Sequence, residues 1–483
     1  MAQHRLERGP SSALPRASSA LAIVALCANA GFAGEPGDDW GDFENAPTTP
    51  AVVEPSYWSG TFTARSRVGL WLERLGDTPL STMRTSLDGT IGWSHGPWRL
   101  SLSGHAEIDP AFMLQSDHFD GPTIDRYESL LDVRKTHVAY LGAHADATFG
   151  WQIVPWGEAL MLGALDVTNP RDLREPGLAD LEDIRLPVLS SRLGLGDGGH
   201  RVELLWVHEA HFGYRSPPRG PHSIYRAFLP DDIDETLGDR ALIVSDAPDR
   251  YGVDAQQAFL RWTYRGSGVD LGVYAATALD QRGVPGLFDP LGSPGARYVA
   301  LPLAHERFWL FGSSGVVPLE ALLLKWEIAF FPDKPLTALS AEGGGARWTN
   351  VREPALDVFA SVVWDPSPET QVAFEWQQLI PLDRGDGEEY LLHPEVPRLG
   401  LRLAHRALAE RLQLELIALI DVDLGGVLTA IVRATADYQL SDSWRVGLGA
   451  ITYQPSSERT GPLMGFGEND QVFARVRWDF GLP

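Results

Sequence analysis

The sequence predicts an all-β protein: a transmembrane antiparallel β-barrel of about 18 strands, with 16 as the alternative because such barrels have even strand numbers. A short helical loop is expected to insert into it. Three observations predict this fold. The N-terminus has the layout of an export signal, no later stretch suits a membrane-spanning helix, and long strands are joined by alternating short and long connections. The chain has 483 residues, 44% of them hydrophobic, which is too apolar for general disorder.

The first thirty residues predict a secretory signal peptide, residues 1–30. Three arginines precede the apolar run 20–27, and small residues follow it up to Ala30. This three-part order is typical of export signals, and the run is less than half the roughly twenty residues that a spanning helix requires. Lipidation at Cys27 is the alternative, although Leu26 is larger than the residue that normally precedes a lipidated cysteine.

The rest of the chain divides into a leader and a barrel. Residues 31–57 are acidic and proline-rich and contain no lysine or arginine, so we expect a periplasmic leader there. The barrel is expected over residues 58–483. Its most apolar stretch, 321–331, is interrupted by Lys325 and Glu327 and does not suit a spanning helix. An exported protein without such a helix is either soluble or a barrel.

The charge balance excludes one class of partner. The chain has 40 lysines and arginines against 64 aspartates and glutamates, a formal net charge of -24 at pH 7. Binding to nucleic acid needs a basic face that neutralises phosphates, so we expect no nucleic-acid partner. The only cysteine leaves with the signal peptide, which removes thiolate metal sites. We expect neither a metal nor a cofactor.

The strands are predicted by a period of two. In residues 62–72, 98–109 and 411–422, apolar residues alternate with polar ones, which places the two kinds on opposite sides of a strand. Globular strands average about five or six residues, whereas a tilted membrane strand needs roughly nine to eleven, and these stretches match the longer value. Such segments begin near residues 60, 82, 98, 132, 145, 188, 201, 257, 269, 305, 319, 355, 370, 398, 411, 426, 444 and 470.

The connections between these segments alternate in length. Short turns at every second junction are typical of outer-membrane barrels, whose turns lie in the periplasm. Tight turns built from turn residues occupy 94–97, 196–199, 265–268, 365–368 and 440–443. Long connections are expected at 110–130, 154–187, 213–254, 280–303, 332–353 and 381–397.

Tryptophans mark the ends of strands beside the short turns. An indole at a membrane surface places its ring in hydrocarbon and its N–H among headgroups. We interpret these residues as an aromatic girdle, the alternative being scattered core tryptophans. They are Trp58, Trp93, Trp98, Trp364, Trp444 and Trp478.

Charged residues share the face that the alternation turns inward. A charged side chain facing lipid at mid-depth costs about 2–4 kcal/mol, so these groups must point into a wet or mutually paired interior. We interpret them as pore-lining residues that set selectivity; the alternative is that they pair across a packed lumen. They are Arg65, Arg67, Arg84, Arg99, His105, Glu107, Arg261, Lys325, Glu327, Glu375, Arg402, Glu415 and Arg433.

The connection 154–187 is predicted to fold into the barrel as a constriction or plug. Asn169 followed by Pro170 fits a helix cap and a first helical residue, so we expect a short ordered helix, and long ordered loops are commonly functional. An outward-projecting loop is the alternative. The residues predicted to narrow the barrel are Trp156, Glu158, Asp166, Asn169, Arg171 and Asp172.

Two stretches resemble a known family. The segment from Trp156 to Asp172 contains WGEA followed by NPRD, and residues 308–335 contain Trp326-Glu327 before DKP. Both are similar to segments of a porin-like family of Gram-negative outer-membrane proteins that bears only a domain-of-unknown-function label. The resemblance implies an outer-membrane barrel and no particular substrate. More loosely, the strand number and charged lumen resemble the alginate export channel, which would imply polysaccharide secretion.

We therefore predict a channel in the cell outer membrane for polar solutes or an exported polymer. The alternatives are a component of exopolysaccharide or lipid export, an adhesive barrel with an acidic loop at 231–235, and a hydrolase. Expected partners are outer-membrane lipid, lipopolysaccharide, the barrel-assembly machinery, and a polar solute or polysaccharide. No nucleophile elbow or HExxH motif occurs, so an enzyme is not expected, although candidate bases exist at His105, His137, His208 and His405.

Overall fold

The computed structural model describes residues 57–181, 183–227, 241–285, 299–340, 347–384, 389–423, 426–456, 463 and 465–482. The predicted signal peptide, the leader up to residue 56 and the acidic stretch 231–235 lie outside the described residues. What is described is dominated by one sheet that closes on itself.

Eighteen long strands form this sheet. The fourth is interrupted between its two halves. The strands are β1 (Tyr57–Trp71), β2 (Leu80–His95), β3 (Trp98–Ile108), β4 (Ser129–Val133 continued by Thr136–Leu141), β5 (Ala145–Gln152), β6 (Val188–Asp197), β7 (His200–Val207), β8 (Gln257–Arg265), β9 (Asp270–Leu279), β10 (Arg307–Leu319), β11 (Leu322–Ser340), β12 (Arg347–Ser367), β13 (Thr370–Pro381), β14 (Arg398–Ala407), β15 (Leu412–Asp423), β16 (Gly426–Gln439), β17 (Trp444–Gln454) and β18 (Gln471–Leu482).

The barrel is antiparallel throughout and closes between its first and last strands. Each strand pairs with the next along the chain, and β18 pairs with β1 from Gly60 opposite Leu482 to Trp71 opposite Gln471. Closure gives β1 and β18 partners on both sides, so neither is an edge strand. The prediction of eighteen strands is confirmed, and the alternative of 16 is wrong.

The two ends of the barrel differ in their connections. One end carries tight turns, among them the turn after β6, where Gly198 and Gly199 have φ of 57° and 84°, a left-handed conformation that favours glycine. The other end carries the long connections. One of these contains the helices α1 (Ala111–Leu114) and α2 (Gly121–Glu128). No helix of the described residues has the length and hydropathy needed to cross a membrane.

The predicted long connection 332–353 is wrong. β11 and β12 stay paired through this stretch, as far as Ser340 opposite Arg347. The physical reason is apolar packing beyond the expected strand ends, because Leu336 and Tyr390 are buried in one cluster. Strand pairing therefore continues past the residues that the alternation marks as strand.

The outward face of the barrel is an apolar belt. Leu102, Val273, Phe311 and Phe374 are among its exposed side chains, as expected of a surface that faces hydrocarbon. Tryptophans lie at the tight-turn end of this belt in cross-strand pairs. The ring centroids are 6.4 Å apart in Trp58–Trp93 and 5.5 Å apart in Trp444–Trp478.

The largest apolar core lies inside the barrel. It combines Trp156 and Leu165, from the connection between β5 and β6, with wall residues such as Phe259 and Phe331. A barrel of eighteen strands is too wide for its wall side chains to fill. The connection therefore supplies the apolar surface that packs against one side of the wall.

Replacing Leu102 by arginine should destabilise the barrel in a bilayer, because Leu102 is exposed on the outward face near the middle of β3. An arginine facing lipid at mid-depth costs about 2–4 kcal/mol. Ser103→Arg is the matched control, since Ser103 lies at the same depth and turns inward, where its hydroxyl bonds Thr90 at 2.9 Å. Urea titration should show the larger loss for Leu102→Arg, and equal losses would contradict the assigned faces.

Candidate functional site

Residues 154–187, between β5 and β6, turn into the barrel, and we call them the inserted loop. Its contacts fall on two arcs of the wall. Residues 156–165 contact the arc β8–β13, and residues 174–183 contact the arc formed by β16–β18 and β1–β3. In a barrel of eighteen strands these arcs are on opposite sides. The inserted loop therefore crosses the lumen.

Asn169 closes the neck of the inserted loop. Its Oδ1 accepts from Val154 N at 2.8 Å, and its Nδ2 donates to Leu186 O at 2.9 Å. The helix predicted to begin at Pro170 is not formed in the described part of the loop, and Asp172–Leu173 forms a short strand instead. The physical reason is that the Asn169 amide joins the two ends of the loop, so it is not available as a helix cap.

Two glutamates of the wall bind the backbone of the inserted loop. Glu327 on β11 accepts from the N–H groups of residues 158, 159, 164 and 165 at 2.5, 2.9, 2.9 and 3.0 Å. Glu375 on β13 accepts from those of residues 160, 161 and 162 at 2.8, 3.0 and 2.9 Å. Both carboxylates are buried. Successive backbone N–H groups thus form two concave anion sites that wall residues occupy.

Gly157 allows the loop to approach Glu327 closely. Its φ is 104°, and a Cβ at this position would lie 2.5 Å from the Glu327 carboxylate oxygen Oε1. A side chain there would be strained and would displace the carboxylate. Gly157, the glycine of the WGEA segment, therefore permits the close contact between the inserted loop and Glu327.

Trp156 fixes the same end of the loop by packing. It is 1% exposed, and its ring centroid lies 5.6 Å from that of Phe259 and 5.7 Å from that of Tyr274. The Arg261 guanidinium stands 4.8 Å over its ring, within the range of a cation–π contact. Trp156 is thus an anchor of the loop and not an exposed lining residue.

Glu175 provides an electrostatic tie to the opposite arc. It accepts from Arg67 on β1 at 2.6 Å and from both terminal nitrogens of Arg84 on β2 at 3.1 Å. Burial alone would raise the pKa of Glu175, but Arg84 and then Arg67 outweigh burial and lower the pKa to about 2. The carboxylate is therefore ionised at neutral pH and forms charge-assisted hydrogen bonds.

Further ion pairs attach the second half of the loop to strands on both sides of β1 and β2. Arg174 donates to Glu107 on β3 at 2.6 Å. Asp180 lies 3.4 Å from Arg433 on β16 and 3.3 Å from Arg475 on β18, and these arginines lower the pKa of Asp180 against the effect of burial. The second half of the loop is thus tied to at least five strands of one arc.

Apolar contacts complete the attachment. Leu178 is buried with Ile451, Phe466 and Phe473 in a separate cluster. The Tyr453 hydroxyl donates to the carbonyl of residue 176 at 2.7 Å. Charge and apolar burial therefore hold the same segment.

The other predicted pore-lining residues also have partners. Arg99 differs from the rest because it lies at the tight-turn end and donates to the carbonyls of Gly96 and Trp98. Lys325 donates to the Glu158 carbonyl at 3.0 Å. The remaining wall pairs are Arg65–Asp88 at 2.9 Å, His105–Asp88 at 2.7 Å, His105–Glu107 at 3.2 Å, Arg261–Glu203 at 2.8 Å, Arg402–Glu415 at 2.8 Å and Arg433–Glu415 at 3.1 Å.

Sequence reasoning missed several members of this network. Glu203 accepts from Arg192 and Arg261, and its place on the inward face of β7 follows from the same alternation that identifies the other wall residues. Glu175 has no such signal, because it lies in a loop without periodicity. Its partners are set by the path of the loop.

Positive charge collects where the inserted loop meets the connection after β9. Asp166 is shared by Arg171 and Arg185, each at 2.9 Å. Arg282 keeps exposed surface, and no hydrogen bond or ion pair of its guanidinium occurs among the described contacts. Enclosure by the barrel, and then Arg398 and Arg171, lower the pKa of Arg282 to about 10. Arg282 is therefore still charged at neutral pH, and Arg398, Arg171, Asp280 and Asp357 lie near it.

A family model described as "Protein of unknown function (DUF1302)" matches residues 84–379, more than half of the chain. The chain belongs to the DUF1302 family. The segment from Trp156 to Asp172 and residues 308–335 both lie within the match. No curated protein matches this DUF1302 chain, and the looser resemblance to the alginate export channel is not confirmed.

Solved structures resemble the DUF1302 barrel at low sequence identity. OccAB3 of Acinetobacter baumannii is 9% identical, with a TM-score of 0.47 over 88% of this chain and 99% of that chain. OccK8 (OprE) of Pseudomonas aeruginosa is 10% identical, with a TM-score of 0.47 over 90% and 100%. OmpF of Salmonella typhi is 9% identical, with a TM-score of 0.39 over 88% and 97%.

Replacing Glu327 by alanine should release the first half of the inserted loop. The change removes the acceptor of four backbone N–H groups, and each buried N–H without a partner costs about 1–3 kcal/mol. Chymotrypsin, which cleaves after large apolar residues, should then cleave the folded barrel faster within residues 154–165, as measured by mass spectrometry. Glu410→Ala, at an exposed position, is the control. Equal cleavage of both variants would contradict the role of Glu327.

The attachment of the second half of the inserted loop to the barrel wall should weaken at acidic pH. Because the pKa of Glu175 falls from 4.5 to about 2 in the folded protein, its ion pairs stabilise docking above pH 4.5 and are lost as the pH falls towards 2. Pepsin cleavage of the inserted loop should therefore increase across that window. Glu175→Gln should be cleaved readily at every pH, so the ratio of wild-type to Glu175→Gln cleavage, in which the pH dependence of pepsin itself cancels, should rise as the pH falls. A wild-type and a Glu175→Gln protein with the same pH profile would contradict this assignment.

Proposed function

We propose that this DUF1302 protein is an outer-membrane channel for small polar solutes, narrowed by the inserted loop. The observation that carries the proposal is that the loop crosses the lumen and is fixed at both sides of it. Glu327 and Glu375 bind its first half, and Arg67 and Arg84 bind its second half. A wide barrel with an ordered constriction is suited to selective passage.

The membrane location rests on the outward surface. The apolar belt, the tryptophans at one end and the alternation of tight turns with long connections are the features of barrels that span the outer membrane. With export by the predicted signal peptide, the barrel would contact outer-membrane lipid and lipopolysaccharide and would need the barrel-assembly machinery.

The attachment of the loop favours small solutes over a polymer. A polymer chain would need a continuous passage past a segment that contacts both arcs of the wall. Clearing that passage would separate the buried carboxylates Glu327 and Glu375 from their backbone donors, which costs about 1–3 kcal/mol for each hydrogen bond lost without replacement. Solutes that fit beside the loop avoid this cost.

The arginine cluster favours anionic solutes. Arg171 and Arg185 share one carboxylate, and Arg282 has surface that a solute can contact. In a confined site of low dielectric constant, excess positive charge attracts anions and repels cations. The negative net charge of the whole chain does not oppose this, because the local charges dominate at a distance of a few ångströms.

Conductance in a planar bilayer tests the channel. The wild-type protein should give discrete small steps, and the double variant Glu327→Ala/Glu375→Ala should give larger steps because its constriction is released. The Glu410→Ala protein is the control and should behave as the wild type. A folded double variant that conducts no better than a folded, silent wild type would overturn the proposal.

Reversal of the Arg282 charge should change selectivity. In a salt gradient, the reversal potential of the wild type should indicate a preference for anions, and that of Arg282→Glu should shift towards cations. Arg406→Glu makes the same charge change at the tight-turn end, at an exposed position far along the chain from the inserted loop, and should shift the potential less. Equal shifts in the two variants would contradict the assignment of Arg282.

A further inference from the structure

A serine, a histidine and a glutamine form a hydrogen-bonded chain on the outside of the barrel. Ser191 Oγ lies 2.8 Å from His208 Nε2, and His208 Nδ1 lies 3.3 Å from Gln256 Oε1. Ser191 is near the start of β6, His208 directly follows β7, and Gln256 directly precedes β8. All three therefore lie at the end of the barrel that carries the long connections, on adjacent strands.

The surrounding hydrogen bonds fix the orientation of the glutamine amide. Gln256 Nε2 donates to the carbonyls of His208 and Gly252 at 3.1 and 3.3 Å. Trp206 Nε1, which can only donate, bonds Gln256 Oε1 at 2.7 Å. Both observations place the carbonyl oxygen of the amide, and not its nitrogen, beside the His208 ring.

This orientation selects the tautomer of His208. Because Gln256 Oε1 can only accept, Nδ1 of the ring must carry the proton that it receives. The lone pair of Nε2 then faces the Ser191 hydroxyl, which donates to it. A hydroxyl bonded to a neutral imidazole whose other nitrogen is held by a third group is the arrangement that activates a serine nucleophile.

The hydrogen-bonded residues Ser191, His208 and Gln256 lie where the apolar belt meets the polar end of the barrel. Ser191 stands opposite Phe149 on β5 and Trp206 on β7, and both aromatic side chains are exposed on the outward face. Towards the tight turns, Leu193 and Leu204 continue the apolar surface as a cross-strand pair. Trp206 keeps its indole N–H at the polar margin, as an interfacial tryptophan does.

An ester at this depth would lie beside Ser191 when its acyl chains lie in the membrane. The linkages between acyl chains and headgroups occupy the boundary between hydrocarbon and water, which is the level of the Ser191 hydroxyl. Acyl chains could rest against Leu193 and Leu204, and the headgroup would project towards the long connections. Ser191 and His208 are partly exposed, so this side of the pair can be reached from the membrane and not from the lumen.

We propose that Ser191 and His208 form a second functional site, a hydrolytic centre for acyl esters of membrane lipids, with Gln256 as a positioning residue. Ser191 Oγ attacks the ester carbonyl carbon while its proton passes to His208 Nε2. The bond from that carbon to the alcohol oxygen breaks, and the alcohol leaves with the proton from His208. Water then attacks the acyl-serine with His208 as base, the fatty acid departs, and the proton returns to Ser191.

The protein has a matched control residue for the proposed nucleophile, Ser191. Ser190 is the adjacent residue of β6, is fully buried on the inward face and bonds Gln152 at 3.1 Å. Ser190→Ala and Ser191→Ala therefore make the same chemical change at neighbouring positions on opposite faces of one strand. Their comparison separates hydrolysis at the outer surface from any effect on barrel stability.

The experiment measures fatty-acid release from diacyl phospholipid in mixed micelles, together with labelling by a fluorophosphonate. Folded wild-type and Ser190→Ala proteins should release fatty acid and should be labelled on Ser191, as located by mass spectrometry. Ser191→Ala should lose the label, and both it and His208→Ala should release fatty acid at least about 100-fold more slowly, as expected for loss of a nucleophile or its base. Equal release by the wild type and Ser191→Ala would overturn the proposal.

Gln256 needs a separate readout because it acts through His208. Gln256→Ala should lower the rate and shift the acidic limb of the pH–rate profile, since it removes the acceptor that holds Nδ1–H. Gln256→Glu should restore the rate, because a carboxylate accepts the same hydrogen bond. A rate and profile unchanged in Gln256→Ala would remove Gln256 from the centre. The conductance of Ser191→Ala should match the wild type, so a failure of this proposal is distinguishable from a failure of the channel.

Discussion

The arrangement inside the barrel depends on one constraint: the backbone N–H groups of an irregular loop must find acceptors away from bulk water. Glu327 and Glu375 supply them, four and three hydrogen bonds respectively. Isolated carboxylates would be costly to bury, and an irregular backbone would be costly without acceptors. The loop N–H groups stabilise the buried carboxylates, and the carboxylates are the acceptors that these N–H groups need. The loop therefore has a fixed path across the lumen, and its contacts with the opposite arc follow from that path.

The same constraint changes how the lumen charges are understood. Most of the inward charges pair with one another or with the inserted loop, as Arg67 and Arg84 do with Glu175. These pairs determine where the loop lies, and they leave few charges for a passing solute. Arg282 differs from them because it keeps exposed surface and its guanidinium has no ion pair among the described contacts. Lumen architecture and proposed selectivity thus involve different residues, while the Ser191 site uses the outer face of the same wall.

The strand order was predictable because a closed barrel repeats one simple physical pattern. Each strand has a lipid face and an inward face, so alternation marks its position, and the turn residues mark its end. The prediction fails where another interaction prevails. Leu336 and Tyr390 pack beyond the expected strand ends, so pairing continues as far as Ser340 opposite Arg347. Asn169 has the sequence context of a helix cap, yet its amide joins Val154 to Leu186.

The sequence by itself determined the class of fold, a strand number of about 18, the faces of the strands and the inward position of the charged wall residues, because these depend on local alternation and on turn residues close in the chain. Only the tertiary structure decided the partners of those residues. Glu327 and the backbone of residues 158–165 are far apart in sequence, as are His208 and Gln256. Such contacts depend on barrel closure and on the path of a loop without periodicity, and no local pattern encodes either.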